Sequence, residues 1–124
     1  MENIVLHEVD DAPFFPAVSF DAEKGVCEIS GESYMEETFK FYAPLQDWLR
    51  KFFENENKPL EFNFRLSYFN TSSSRQILDL LEILKKEIQN GADVKIKWYY
   101  DSDDPDMEDE IEDFKIETGL SIEL

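Results

Sequence analysis

Cysteine, histidine and basic residues are scarce in this chain. Cys27 is its one cysteine, which excludes an internal disulfide, and His7 is its one histidine. A lone histidine is more often a surface residue than a metal ligand or a catalytic base. Lysine and arginine number 12 against 29 acidic residues, for a formal net charge of -17. A surface this negative repels phosphate backbones and anionic lipids, so we expect no binding to nucleic acid and no membrane insertion.

Long apolar runs and nucleotide-binding motifs are also missing. No run approaches the roughly 18 apolar residues of a membrane span, and the first residues lack a basic segment before an apolar one. We therefore expect a cytoplasmic protein. The sequence has no Walker loop, no GxGxxG and no His/Cys metal pattern, and carboxylate pairs mean little among 29 acids. An enzyme is disfavoured, and no cofactor is expected.

The apolar content is sufficient for a core. Hydrophobic residues make up 42% of the 124 residues, with eleven Phe among them, so we expect a single domain over 1–124. Residues 1–16 contain Pro13 and Pro16 and predict an extended lead-in at a sheet edge. Apolar and polar residues then alternate over 17–21 and 26–30, which predicts a hairpin.

A helix follows the hairpin. Its inward face is predicted from residues that share one helical side, namely Thr38, Phe41, Leu45, Trp48, Leu49 and Phe52. Pro44 interrupts this pattern, and either kinks the helix or opens its main part as a first-turn residue. We expect the second, with the main helix over about 43–54. Ser33 and Glu36 have the spacing of a capping box in front of it.

The central feature is a row of polar residues between an apolar segment and a helical pattern. Residues 60–69 alternate as a strand, and Ile77, Leu80, Leu84 and Ile88 recur at helical spacing. Between them stands Asn70-Thr71-Ser72-Ser73-Ser74. One such side chain suffices to cap a helix, so the excess leaves two hypotheses open: capping alone, or a phosphate on one hydroxyl, held at the helix N-terminus.

A second strand follows this helix. Asn90-Gly91 is a stop signal, and 94–98 places Val94, Ile96 and Trp98 on one face, with Lys95, Lys97 and Tyr99 on the other. Strand, helix and strand in succession predict a right-handed parallel crossover. Tyr99 is either a half-buried sheet residue or a partner contact. The fold class is therefore α/β, with a mixed sheet of four to five strands and two to three helices.

The last part of the chain, 101–118, is predicted to be an acidic loop and a C-terminal helix. Pro105 can start this helix, with Met107, Ile111 and Phe114 inward, and 120–124 could add a short strand. The acids of 101–113 fail the EF-hand pattern, because Pro105 and Asp106 replace the required Asp/Asn and Gly. A solvated helix start, a partner-binding patch and a metal site remain as alternatives.

Several stretches of this sequence are shared with a known family. They are Tyr68–Arg75 (YFNTSSSR), Gly31–Tyr34 (GESY), Phe41–Leu45 (FYAPL), Trp48-Leu49 and Trp98–Asp101 (WYYD). In order and spacing they resemble the SiaC family of bacterial regulatory phosphoproteins, from about Pro16 to about Asp113. The resemblance implies a variant of the anti-sigma-factor-antagonist (STAS-like) fold.

The resemblance also implies a function by partner switching. In the family a kinase phosphorylates the threonine of N-T-S-S-S, a PP2C-type phosphatase removes the phosphate, and the unmodified protein activates a diguanylate cyclase. By this resemblance Thr71 is the phosphoacceptor, and Asn70, Ser72, Ser73, Ser74, Arg75 and Tyr99 are expected partner contacts. The alternative is a constitutive acidic interaction protein or inhibitor that phosphorylation does not control.

Overall fold

The structure is a computed structural model that describes residues 1–6 and 15–123. Its elements are β1 (Ile4–Leu6), β2 (Ala17–Asp21), β3 (Val26–Ser33), α1 (Thr38–Asn55), β4 (Leu60–Phe69), α2 (Thr71–Gln89), β5 (Val94–Trp98) and α3 (Pro105–Thr118). The strands form one sheet in sequence order. β1, β2 and β3 pair antiparallel, whereas β3, β4 and β5 pair parallel. The predicted α/β class with a mixed sheet is confirmed.

All three helices pack on one face of the sheet. Phe20 of β2 contacts Trp48 of α1 at 5.1 Å between ring centroids, and Trp98 of β5 stacks on Phe114 of α3 at 5.8 Å. Helix α2 lies between α1 and α3 and contacts both. The opposite face of the sheet carries polar residues such as Arg65 and Lys97 and is open. The apolar residues of each strand therefore point to one side, as the alternation predicts.

The predicted hairpin is confirmed, and its turn closes against β4. The amide of Gly25 donates to the carbonyl of Asp21 at 2.9 Å, and the carbonyl of Gly25 accepts from the amide of Glu61 at 2.8 Å. Gly25 is buried and has φ +67°. A β-carbon at Gly25 would overlap the carbonyl oxygen of Pro59. This position therefore needs glycine both for its backbone angle and for the space beside Pro59.

The prediction for the start of α1 is wrong. The helix begins at Thr38 rather than near 43, and Pro44 lies inside it. Pro44 removes one amide donor, but it is exposed, so water can reach the carbonyl that loses its partner. Thr38 and Tyr42 are buried on the core side and hold the first turns in place. Packing thus overrides the local preference of proline.

The predicted capping box is also wrong. Ser33 is the last residue of β3, and the N-cap of α1 is Glu37, which makes no side-chain capping bond. The spacing of Ser33 and Glu36 matches the pattern, but β3 runs three residues further than the 26–30 alternation indicates. Ser33 is therefore part of the sheet and is free for another role.

The C-terminal helix agrees with prediction. Asp104 caps α3, since its Oδ1 accepts from the amide of Met107 at 3.0 Å, and Met107, Ile111 and Phe114 are buried. The predicted strand over 120–124 reduces to one bridge between Lys97 and Glu123, while Leu124 lies outside the described residues. Within 1–6 and 15–123, no group of three acidic, His or Cys side chains could hold a metal ion.

The remaining sequence predictions concern single positions. Cys27 is fully buried, and burial raises the pKa of its thiol, so it packs as a small apolar residue. His7 and Pro13 lie outside the described residues. Among the described helices, none is long and apolar enough to cross a membrane.

We expect Gly25→Ala to lower the free energy of unfolding by about 3 kcal/mol or more, because the new methyl adds steric overlap to an unfavourable backbone angle. Gly119→Ala is the matched control. Gly119 has a similar φ of +74°, but a β-carbon added there would meet nothing within 4 Å, so its cost should stay near 1 kcal/mol. Urea unfolding of both variants measures the difference. Equal costs would contradict the close approach to Pro59.

Candidate functional site

The junction between β4 and α2 is organised by Asn70. Its side-chain Oδ1 accepts from the amide of Ser73 at 2.8 Å, which makes Asn70 the N-cap of α2. Its carbonyl accepts from the amide of Ser74 at 2.8 Å, and its own amide donates to the carbonyl of Ser33 at 3.0 Å. Capping is therefore confirmed as a role of this polar row, and it is performed by the asparagine. The hydroxyls that follow are not needed for it.

The four hydroxyls of the row have different surroundings. Thr71 and Ser72, the first two residues of α2, are exposed, whereas Ser74 is half-buried and Ser73 is fully buried. Among the described residues, the amides of Thr71 and Ser72 have no hydrogen-bond partner. Such free amides at the positive end of a helix favour a nearby anion. A negatively charged group on Thr71 would thus find donors in its own turn.

Ser73 belongs to a buried chain of hydroxyls. The Oγ of Ser33 contacts the hydroxyl of Tyr42 at 2.7 Å and donates to the Oγ of Ser73 at 2.8 Å. Ser73 in turn donates to the Sδ of Met35 at 3.8 Å. All four side chains are at least nine-tenths buried. The first turn of α2 is therefore bonded to the end of β3 and to α1.

The segment that follows β3 lies against the junction. The Nδ2 of Asn70 donates to the carbonyl of Met35 at 3.4 Å, and the ring of Tyr34 meets the ring of Tyr68 edge-on at 5.7 Å. Tyr68 is half exposed, at 51% of its surface. The pairing between β3 and β4 is irregular at this point. Gly31 pairs with Leu66, but the next residue, Glu32, pairs with Tyr68, so β4 has one extra residue here. The extra residue turns the side chain of Tyr68 outward. A partner at Thr71 would therefore meet aromatic surface as well as hydroxyls.

The remaining predicted site residues lie at two places. Arg75 is exposed one turn after Thr71 and pairs with Asp79 at 3.9 Å. Tyr99 lies on the open face of the sheet, where the guanidinium of Arg65 sits 3.8 Å from its ring centroid and also pairs with Glu28. Arg65 precedes Asn70 by five strand positions, which is about 16 Å along β4. The structure brings residues 70–75 together and keeps Tyr99 apart from them.

Comparison of the sequence with known protein families shows which family it belongs to. The family model described as SiaC family regulatory phosphoprotein matches residues 9–124.

This chain belongs to the SiaC family.

Proteins similar to this SiaC family member are found in Pseudomonas aeruginosa. An uncharacterised protein of strain UCBPP-PA14 is 32% identical over 100 residues, which are 81% of this chain and 79% of that protein. The crystal structure of apo-SiaC matches with a TM-score of 0.89 at 27% identity, over 99% of this chain and 98% of the other. One chain in the structure of the diguanylate cyclase SiaD in complex with its activator SiaC matches with a TM-score of 0.86 at 27% identity. The match covers 99% of this chain and 97% of that chain.

Sequence reasoning missed the residues that support the junction. Ser33, Tyr42 and Met35 form the buried chain with Ser73. The spacing of Ser33 in the sequence indicates a helix cap instead, and nothing in the sequence assigns a role to Tyr42 or Met35. The one available signal is the polar Ser33 at a position that continues the buried alternation of Cys27 and Ile29. For Tyr68, the adjacent aromatic residue at 69 breaks the strict alternation and signals the irregularity in β4.

The buried phenol of Tyr42 leads us to expect that the stability of this SiaC family member falls at alkaline pH. Burial raises the pKa of Tyr42 from 10.0 to about 12. The stability that its neutral form contributes is complete below pH 10 and is lost as the pH rises through 12. We expect the free energy of unfolding to fall by about 2 to 3 kcal/mol over this range relative to Tyr42→Phe, since each pKa unit corresponds to about 1.4 kcal/mol. Urea unfolding from pH 8 to 12 tests this, and parallel pH profiles for the two proteins would contradict it.

Proposed function

We propose that this SiaC family member is a non-enzymatic regulatory phosphoprotein in which Thr71 carries the regulatory phosphate. The observation that carries the proposal is the position of Thr71. It is the exposed first residue of α2, beside two amides without partners, whereas Ser73 in the same turn is fully buried. A kinase can reach the Thr71 hydroxyl without unfolding the helix. Sites accessible in the folded state suit reversible modification.

The unmodified form is proposed to bind and activate a diguanylate cyclase. Support comes from the structure of the Pseudomonas aeruginosa cyclase SiaD in complex with its activator SiaC. This chain resembles one chain of that complex over nearly its whole length. The contact surface that we assign consists of Asn70, Thr71, Ser72, Ser74 and Arg75. Ser73 is assigned a supporting role, because its hydroxyl is buried. Tyr99 is assigned to a separate contact on the open sheet face.

A phosphate on Thr71 would oppose this binding for a local reason. It adds about 1.5 to 2 negative charges and a bulky group to a surface of small hydroxyls. A partner that covers this surface without a matching cation must desolvate the charge, which costs several kcal/mol. A loss of about 3 kcal/mol already lowers affinity more than a hundredfold. Within the protein itself, the free amides of Thr71 and Ser72 would stabilise the phosphate.

The same group would favour a different partner. A protein that presents arginine or lysine to the phosphate gains charge-assisted hydrogen bonds that the unmodified surface cannot give. We propose that a cognate Ser/Thr kinase adds the phosphate and that a PP2C-type phosphatase removes it. One residue then selects between partners, and the protein acts in the cytoplasm as a single SiaC-like domain.

The test begins with the protein isolated from its own cells. We expect a fraction with an added mass of about 80 Da, the mass of one phosphoryl group, that maps to Thr71. Thr71→Ala should abolish the adduct and retain the fold, so that activation of a diguanylate cyclase from the same genome should no longer respond to the kinase. Ser72→Ala is the matched control, since Ser72 is also exposed but its substitution should leave the adduct in place. Intact mass, peptide mapping and cyclase turnover measure these effects.

Two results would count against this function. Stoichiometric phosphorylation of the Thr71→Ala protein would remove Thr71 as the sole acceptor. If the adduct were absent under all growth conditions and partner binding weakened steeply with salt, the chain would act as a constitutive acidic binder, in keeping with its net charge of -17.

A further inference from the structure

The buried hydroxyl chain of Ser33, Tyr42 and Ser73 is larger than the fold requires. Asn70 already caps α2, so the Oγ of Ser73 is not needed at the helix end. Ser33 and Tyr42 likewise lie in the core, each with no exposed surface. Buried hydroxyls cost free energy unless they are bonded, and apolar residues of similar size could fill the same space at no such cost. A buried polar chain of this kind gives orientation that apolar packing does not give.

The Sδ of Met35 can only accept, and two hydroxyls reach it, Ser33 at 3.9 Å and Ser73 at 3.8 Å. We assign the hydrogen of Ser33 to Ser73, which is much nearer at 2.8 Å, and the hydrogen in the contact between Ser33 and Tyr42 then comes from the phenol. Ser73 gives its own hydrogen to the Sδ of Met35. The order is thus Tyr42 to Ser33 to Ser73 to Met35, and every hydroxyl donates once. The middle members, Ser33 and Ser73, each accept and donate, whereas Tyr42 only donates.

The chain joins four parts of the protein at one point. Tyr42 belongs to α1, Ser33 to the end of β3, Met35 to the segment after β3, and Ser73 to the first turn of α2. Thr71 stands in the same turn as Ser73, and residues of an α-helix differ in direction by about 100° per position. A turn that rotates or frays at Ser73 must therefore also redirect the hydroxyl of Thr71 and its free amides.

We propose that Ser33 and Ser73 are positioning residues, which fix the direction of Thr71 and thereby make it, rather than Ser72, the residue that is phosphorylated. This inference rests on the proposed function for the identity of the phosphorylated residue. The orientation of the turn itself is a property of the chain alone. The two parts can therefore be tested separately.

The first test measures amide hydrogen exchange in the first turn of α2. Ser73→Ala removes the link between α2 and β3 but leaves the cap, and we expect exchange at 73–75 to become about tenfold faster. Thr118→Ala is the matched control, because Thr118 also has a buried hydroxyl, bonded to the carbonyl of Phe114 at 2.6 Å, at the far end of α3. Unchanged exchange in Ser73→Ala, or an equal change at 73–75 in Thr118→Ala, would overturn the positioning role.

A second pair of variants keeps the test decisive if Ser73→Ala does not fold. Met35→Leu retains side-chain volume and removes only the sulfur acceptor, so exchange at 73–75 should rise severalfold. Tyr42→Phe leaves the bond between Ser33 and Ser73 intact, so exchange there should match the wild type. If Tyr42→Phe loosened the turn as much as Met35→Leu, the assigned order of donors would be wrong.

The second test reads the position of the phosphate in native cells. In wild-type protein the ratio of phosphate on Thr71 to phosphate on Ser72 should be high, and Ser73→Ala should lower it about fivefold or more, whereas Thr118→Ala should leave it unchanged. Equal ratios in wild type and Ser73→Ala would overturn the selectivity. If the wild type carried no phosphate on Thr71, the proposed function would fail, and the exchange experiment would still decide the positioning role.

Discussion

Asn70 is the residue on which the arrangement of the candidate site depends. All its polar groups are bonded: the amide to Ser33, the carbonyl to Ser74, Oδ1 to the amide of Ser73 and Nδ2 to the carbonyl of Met35. It therefore ends the ladder between β3 and β4 and starts α2 at the same point. A hydroxyl at this position could cap the helix, but its donor and acceptor share one atom, whereas the side-chain amide of Asn70 presents them on two atoms, one for Ser73 and one for Met35.

Because asparagine does the capping, the hydroxyls after it are free for other uses. The helical direction change sends Thr71 and Ser72 to the surface and Ser73 into the core. In the proposed function the exposed Thr71 is modified, and the buried serine is proposed to hold the turn. The helix start itself requires only one of the five polar residues.

Much of this fold could be predicted from local pattern. Alternation located the hairpin and the face of β5, and the order of β4, α2 and β5 implied their parallel pairing. The start of α1 could not be predicted, because the burial of Tyr42 outweighs the preference of Pro44 for a first turn. Ser33 has the spacing of a helix cap, and this local pattern was misleading. The residues that its side chain contacts, Tyr42 and Ser73, are distant in sequence, so local spacing carries no information about them. The hydroxyl row was visible in the sequence, but only tertiary contacts distinguish its buried member from its exposed ones.

The charge of the chain limits how a phosphate could act. Against a net charge of -17, a phosphate dianion changes the total by only about an eighth, so the long-range attraction of a basic partner hardly alters. At physiological ionic strength the field of an exposed charge also fades over about 8 Å. Tyr99 lies on the open face, about 16 Å short of Asn70 along the strand, and would not sense a phosphate on Thr71. A partner that is controlled by Thr71 must therefore touch the junction itself, while a partner that binds only the open sheet face would bind both forms equally.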